Sequence, residues 1–114
     1  MNENERENQR EMVLDLGASR RGELNEFVLR MMGGAIKMLL RRMFGDDSAI
    51  PVKVKGNKKE ISAFAKAIGK EKKYMKSAAK YGLNNPKTYK DKYSLRKATS
   101  KFERATGIKW PFKG

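Results

Sequence analysis

Residues 58–81 read KKEISAFAKAIGKEKKYMKSAAKY, and whether this stretch is one helix or two decides the architecture of the chain. Ile61, Phe64, Ala65 and Ile68 recur at i, i+3, i+4 and i+7, the spacing of one buried helix face. Gly69 follows. At about 100° per residue, an unbroken helix would carry Lys72 into that apolar face beside Ile61 and Ile68. A break at Gly69 instead lets residues 71–81 open a fresh face of Tyr74, Met75, Ala78 and Tyr81. The pattern therefore predicts a break or sharp bend at Gly69. Gly82 is expected to close the second helix, with Leu83 free to fold back on it.

Towards the C-terminus, Asn84-Asn85-Pro86 reads as a turn that opens a short helical turn, with Asn85 as cap and Pro86 at the first helical position. Ser94 is expected to cap a last helix over 95–106. Its buried face is Leu95, Ala98, Phe102 and Ala105, and Gly107 ends it. The run Ile108-Lys109-Trp110-Pro111-Phe112 is too apolar for a free tail. Ile108, Trp110 and Phe112 are expected to dock on the helical core or on a neighbour.

Towards the N-terminus, residues 50–55 (IPVKVK) alternate apolar and basic. They read as a short strand or, preferably, an extended connector, because no pairing partner is evident in the chain. Pro51 confines any strand to an edge or an end. Residues 23–44 (ELNEFVLRMMGGAIKMLLRRMF) form the strongest helix candidate. Glu23 and Glu26 lie early and Arg41 and Arg42 late, as the helix dipole favours. Its polar stripe is narrow, and its apolar face is wider than the stripe of about 100° that an ordinary surface helix needs. Phe27, Val28, Met31, Met32, Ile36, Met38, Leu39 and Leu40 are therefore the candidate self-association or docking residues. Gly33-Gly34 predicts a kink or a close packing contact. Met12, Val13, Leu14 and Leu16 form a small apolar cluster, and residues 1–11 show no hydrophobic face.

The expected fold class is all-α: an apolar N-terminal helix plus a compact basic bundle of three short helices, with at most one short strand. The expected division is a polar arm and linker over 1–22, the apolar helix over 23–49, and a basic helical module over 50–114.

Charge separates the two halves of the 114-residue chain. Residues 1–50 hold nine acids and eight bases, seven of them Arg. Residues 51–114 hold four acids and nineteen bases, seventeen of them Lys, a net of +15. Such an excess attracts polyanions. Neither Cys nor His occurs anywhere in the chain. Disulfides, thiolate nucleophiles, Cys/His zinc sites and histidine acid–base chemistry are thereby excluded. No phosphate loop or dinucleotide fingerprint occurs. The sequence therefore points to no enzyme, no cofactor, no metal and no catalytic residue.

The basic surface is the candidate site. Lys59 and Lys66 point away from the apolar face of their helix. Lys70, Lys73, Lys76 and Lys80 crowd the next segment, and Lys87 and Lys90 line the turn. Lys97, Lys101 and Arg104 are spaced i, i+4 and i+7 on the last helix. Lysine is a flexible point charge suited to phosphate oxygens, and the scarcity of Arg argues against bidentate reading of guanine. The expected function is non-catalytic, sequence-tolerant binding of DNA or RNA through phosphates, by a homo-oligomer or within a larger protein assembly. The expected setting is the cytoplasm or a viral particle. Of the aromatics among these bases, Tyr74 and Tyr81 also fit a core face.

The Lys-rich helices followed by Phe102-Glu103-Arg104-Ala105-Thr106-Gly107-Ile108-Lys109-Trp110-Pro111-Phe112 resemble, in style, small basic proteins encoded by tailed bacteriophages. The resemblance covers the second half and assigns no residue a role. It accords with the first alternative reading, a small structural component of a viral particle or other large assembly. The second alternative is association with an anionic membrane through residues 23–44.

Overall fold

The computed structural model of the chain describes residues 11–112. Of the polar arm and linker expected over 1–22, residues 1–10 lie outside them, and Met12–Asp15 form a strand instead. The elements run β1 (Met12–Asp15), α1 (Glu26–Met43), β2 (Val52–Lys55), α2 (Lys58–Tyr81) and α3 (Pro86–Thr106).

The first correction concerns the strands. Residues 52–55 are not a plain connector: they pair in parallel with residues 12–15, in the register Met12↔Val52 and Leu14↔Val54. Parallel neighbours need a long crossover, and α1 supplies it. Alternation then sorts the side chains. Leu14 is fully buried, and Met12, Val52 and Val54 pack against the core. Val13, Lys53 and Lys55 face outward. The chain is thus mostly helical, as expected, with a two-stranded parallel sheet in place of the single short strand allowed for.

Helix α1 begins at Asn25, whose side-chain oxygen accepts the Val28 N–H at 2.9 Å. It runs without interruption through Gly33-Gly34. A Cβ at Gly33 would lie 3.7 Å from Pro111, and one at Gly34 would lie 3.7 Å from Met12. The pair therefore marks close packing, on the C-terminal segment at one residue and on β1 at the next. This accounts for the breadth of the apolar face. Met32, Ala35, Ile36 and Leu40 are buried in the chain's own core, between the sheet and residues 108–112.

The second correction concerns Gly69. Helix α2 is continuous over 24 residues, with no break at Gly69. An interior glycine costs about 1 kcal/mol relative to alanine, which packing along a neighbouring helix readily offsets. Lys72, the residue that argued against continuity, is only half-buried. Its ammonium lies 5.8 Å from the centre of the Phe44 ring. A long lysine stem can cover apolar surface while its charge stays wet.

The third correction concerns Ser94, which lies inside a helix rather than capping one. Asn85 caps the whole of α3, accepting the Lys87 N–H at 2.9 Å, and Pro86 holds the first helical position. The expected three short helices are therefore two long ones. The Ser77 hydroxyl donates to Asp91 near the turn, and Phe64 meets Phe102 at the far end, so α2 and α3 form an antiparallel hairpin. Thr88 fastens the turn by donating to the Gly82 carbonyl at 2.7 Å. Gly107 ends α3 in the left-handed region, at φ 71°.

The C-terminal segment docks as expected. Ile108 and Trp110 are buried and Phe112 packs against them. Trp110 meets Phe102 edge-on at 5.2 Å and lies 6.1 Å from Phe64. Its indole N–H donates to Glu71 at 2.9 Å, and its backbone N–H donates to Glu103 at 2.9 Å.

Two predictions follow from this packing. Trp110→Ala removes a buried aromatic and strips Glu71 of its donor, so it lowers unfolding free energy by about 3–5 kcal/mol in a urea titration. Glu60 gives the second. Burial pushes its carboxyl up, but the Asn57 N–H and Arg20 pull it further down, and the net lies below the ordinary value of 4.5. Its stabilising contribution is therefore complete above pH 4.5 and is lost as pH falls through the lower folded value. Urea midpoints should drop between neutral and acid pH, and Glu60→Gln should drop less steeply.

Candidate nucleic-acid interface

The four acids of the basic half all accept hydrogen bonds from within the chain, Glu103 from an exposed position on α3. Glu60 forms a capping box with Asn57, accepting its N–H at 2.9 Å while the Asn57 side chain accepts the Glu60 N–H at 2.8 Å. Glu71 accepts from the Trp110 indole, Asp91 from the Ser77 hydroxyl, and Glu103 from the Trp110 backbone. Glu60, Glu71 and Asp91 are buried. Among the described residues, Lys73 is the one lysine within 4.0 Å of a carboxylate, 3.7 Å from Asp91.

Arginine is used differently. Arg20 reaches Glu60 with two nitrogens, at 3.3 and 3.4 Å. Arg21 bridges Asp15 and Glu23. Arg41 binds Asp46 at 2.6 Å, and Arg42 donates to the Ala49 carbonyl at 2.9 Å. Asp46 is held down to about 2 by the Ser48 hydroxyl and then by Arg41. Asp46 thus secures the end of α1. A planar guanidinium with several donors suits such fixed links. Four first-half arginines are spent on the fold, while the second-half lysines among the described residues, Lys73 apart, form no ion pair with a carboxylate.

Helices α2 and α3 set those lysines around a groove. One recess of about 450 Å³ has Lys59 and Lys66 on the α2 side, Lys101 and Arg104 on the α3 side, and Ala63 and Ala98 among its floor residues. The next, about 270 Å³, is bounded by Lys66, Lys70, Lys97 and Lys101 around Ser94. The two share Lys66, Ala98 and Lys101, so the groove is continuous. Small residues at the helix contact leave room between the two cationic walls. A third recess crosses the crest of α3, from Lys97, Lys101 and Arg104 to Arg96 and Tyr93.

Six of the expected phosphate-binding residues are therefore brought together: Lys59, Lys66, Lys70, Lys97, Lys101 and Arg104. Lys90 is exposed seven residues before Lys97 and extends the α3 stripe. Lys73 leans towards Asp91. Lys76 and Lys80 run on along α2 to the hairpin turn, where Lys87 faces them from α3. The Lys80 and Lys87 ammonium groups lie 5.3 and 4.7 Å from the centre of the Tyr81 ring. Lys80 and then Lys87 hold the Tyr81 hydroxyl below its ordinary value.

Of the expected self-association residues, Met32, Ile36 and Leu40 are buried in the chain's own core. Val28, Met38 and Leu39 are half-buried. Phe27 and Met31 remain exposed, with Leu29 beside them.

Sequence reasoning missed the floor of the groove, Arg96, and the position of Tyr93. One signal was present. Reading Asn85-Pro86 as the start of a full-length helix places Lys90, Lys97, Lys101 and Arg104 on one face.

No helix among the described residues is long and apolar enough to cross a membrane, and no group of three or more acidic residues there could hold a metal. No protein-family model, curated protein or solved structure matches the chain.

Proposed function

We propose that this protein binds nucleic acid without catalysis, gripping phosphates along the groove between α2 and α3. The observation that carries the reading is the groove's charge. Six cations converge there, and among the described residues none of the six lies within 4.0 Å of a carboxylate. Their mutual repulsion is relieved by a polyanion.

The dimensions suit a single phosphate track. Lys59 to Lys70 spans about 16 Å of helix. A groove of that length runs beside only a few consecutive phosphates of one strand. Flexible ammonium groups accept any sequence, which makes the binding sequence-tolerant and strongly salt-dependent. DNA and RNA duplexes and single strands all offer the required phosphates.

The test is a salt titration of binding to labelled DNA and RNA. Lys66→Ala/Lys97→Ala/Lys101→Ala should reduce the slope of log affinity against log salt by about 2–3. Lys53→Ala/Lys55→Ala, on the outer face of the sheet, should change it by less than about 1. A flat salt response, or a triple variant that binds like the parent, would contradict the proposal.

A second reading is a small structural component of a viral particle or other large assembly. It is favoured by Phe27, 67 % exposed, beside exposed Leu29 and Met31 at the start of α1. Such a chain should self-associate in sedimentation at high salt, and Phe27→Ser/Met31→Ser should abolish this. A parent chain that stays monomeric removes that reading.

A further inference from the structure

We propose that the same surface prefers single-stranded nucleic acid, because Tyr93, supported by Tyr89, forms a stacking platform for unpaired bases beside the phosphate groove. This rests on the phosphate-binding reading and names the class of strand it selects.

The four tyrosines differ in what they have left to offer. Tyr74 is half-buried and lines a separate apolar groove together with Phe112 and Met75. Tyr81 is half-buried, with two lysine ammonium groups against its ring. Tyr93 is 63 % exposed and Tyr89 is 52 % exposed, both on α3. Large aromatic area left in water amid lysines is costly for the isolated protein, and a base face removes that cost.

Position makes Tyr93 more than an exposed ring. It shares the recess over the crest of α3 with Lys97, Lys101 and Arg104, three residues that also line the groove. A strand whose phosphates lie along that wall can turn its bases over the crest onto the ring. The Lys97 ammonium lies 5.0 Å from the ring centre, so the ring's electron-rich face is already oriented by a cation. The face not occupied by Lys97 is the one a base would cover. Tyr89 lies one turn earlier, about 6 Å along the axis. Its hydroxyl is tied to Asn84 at 3.2 Å, which fixes the ring.

Strand selection follows from what a base can present. Every base has a π face, so stacking is tolerant of sequence, as the lysine contacts are. In a duplex those faces are already stacked on neighbouring pairs. A duplex therefore meets the lysines alone, whereas a single strand meets the lysines and the tyrosines.

The experiment compares a labelled single-stranded oligonucleotide with a duplex of the same length, by fluorescence anisotropy at fixed low salt. Tyr93→Ala should lower single-strand affinity about tenfold and leave duplex affinity unchanged. The salt slope of both should stay that of the parent. Tyr93→Phe keeps the ring and should bind like the parent. A Tyr93→Ala chain with parental single-strand affinity, or with equal losses on both strands, overturns this inference alone. Absence of binding to any nucleic acid at low salt overturns it together with the phosphate reading. Circular dichroism of the variant checks the fold, which an exposed position leaves intact.

Discussion

A carboxylate taken out of water must find donors, since an unpaired buried charge costs several kcal/mol. Three of the four acids in the basic half are buried, and each takes at least one donor from a different element of the chain. Glu60 takes Arg20 from the N-terminal segment and the Asn57 backbone at the head of α2. Glu71 takes the Trp110 indole from the C-terminal segment. Asp91 takes Ser77 across the helical hairpin. Each pairing fixes one joint of the fold: N-terminal segment to hairpin, C-terminal segment to hairpin, helix to helix. Each also keeps a carboxylate turned into the core, so that it does not pair with the surface lysines, Lys73 beside Asp91 apart. The internal satisfaction of a few carboxylates thus shapes the core and leaves the surface cationic.

The unequal use of arginine and lysine is the same division seen in the basic residues. Arg20, Arg21, Arg41 and Arg42 form directed, multi-point links within the first half and from it to α2. Their guanidinium geometry rewards fixed partners. Lysines on the hairpin have no such partners among the described residues, apart from Lys73. A flexible ammonium is well suited to meeting a mobile, repetitive anion. Lysine placement then becomes a matter of helix phase. Two continuous antiparallel helices set Lys59, Lys66 and Lys70 opposite Lys97, Lys101 and Arg104, which three short helices in varied directions would not.

Local features of the fold were legible in the sequence. Asn85-Pro86 and Gly107 mark ends of α3 because caps are set by nearest neighbours. Leu95, Ala98 and Phe102 show their shared face, and the apolar run 108–112 announces a docked segment. What escaped was non-local. The partner of Val52–Lys55 lies 40 residues upstream across a helix, and MVLD alone is too short to declare itself a strand. The break expected at Gly69 treated one glycine and one lysine as decisive. Packing against α3 outweighs the first, and Lys72 lying along Phe44 removes the second. The candidate site was legible as a set of lysines but not as a groove. Its floor of Ala63, Ser94 and Ala98 exists only where two helices meet, and no spacing within one helix reports that.

The most direct measurement is lysine acetylation footprinting by mass spectrometry, with and without saturating nucleic acid at low salt. The account predicts protection centred on Lys59, Lys66, Lys97 and Lys101, with Lys53 and Lys55 reacting as in the free protein. Uniform protection of all lysines, or protection centred on the outer face of the sheet, would contradict it.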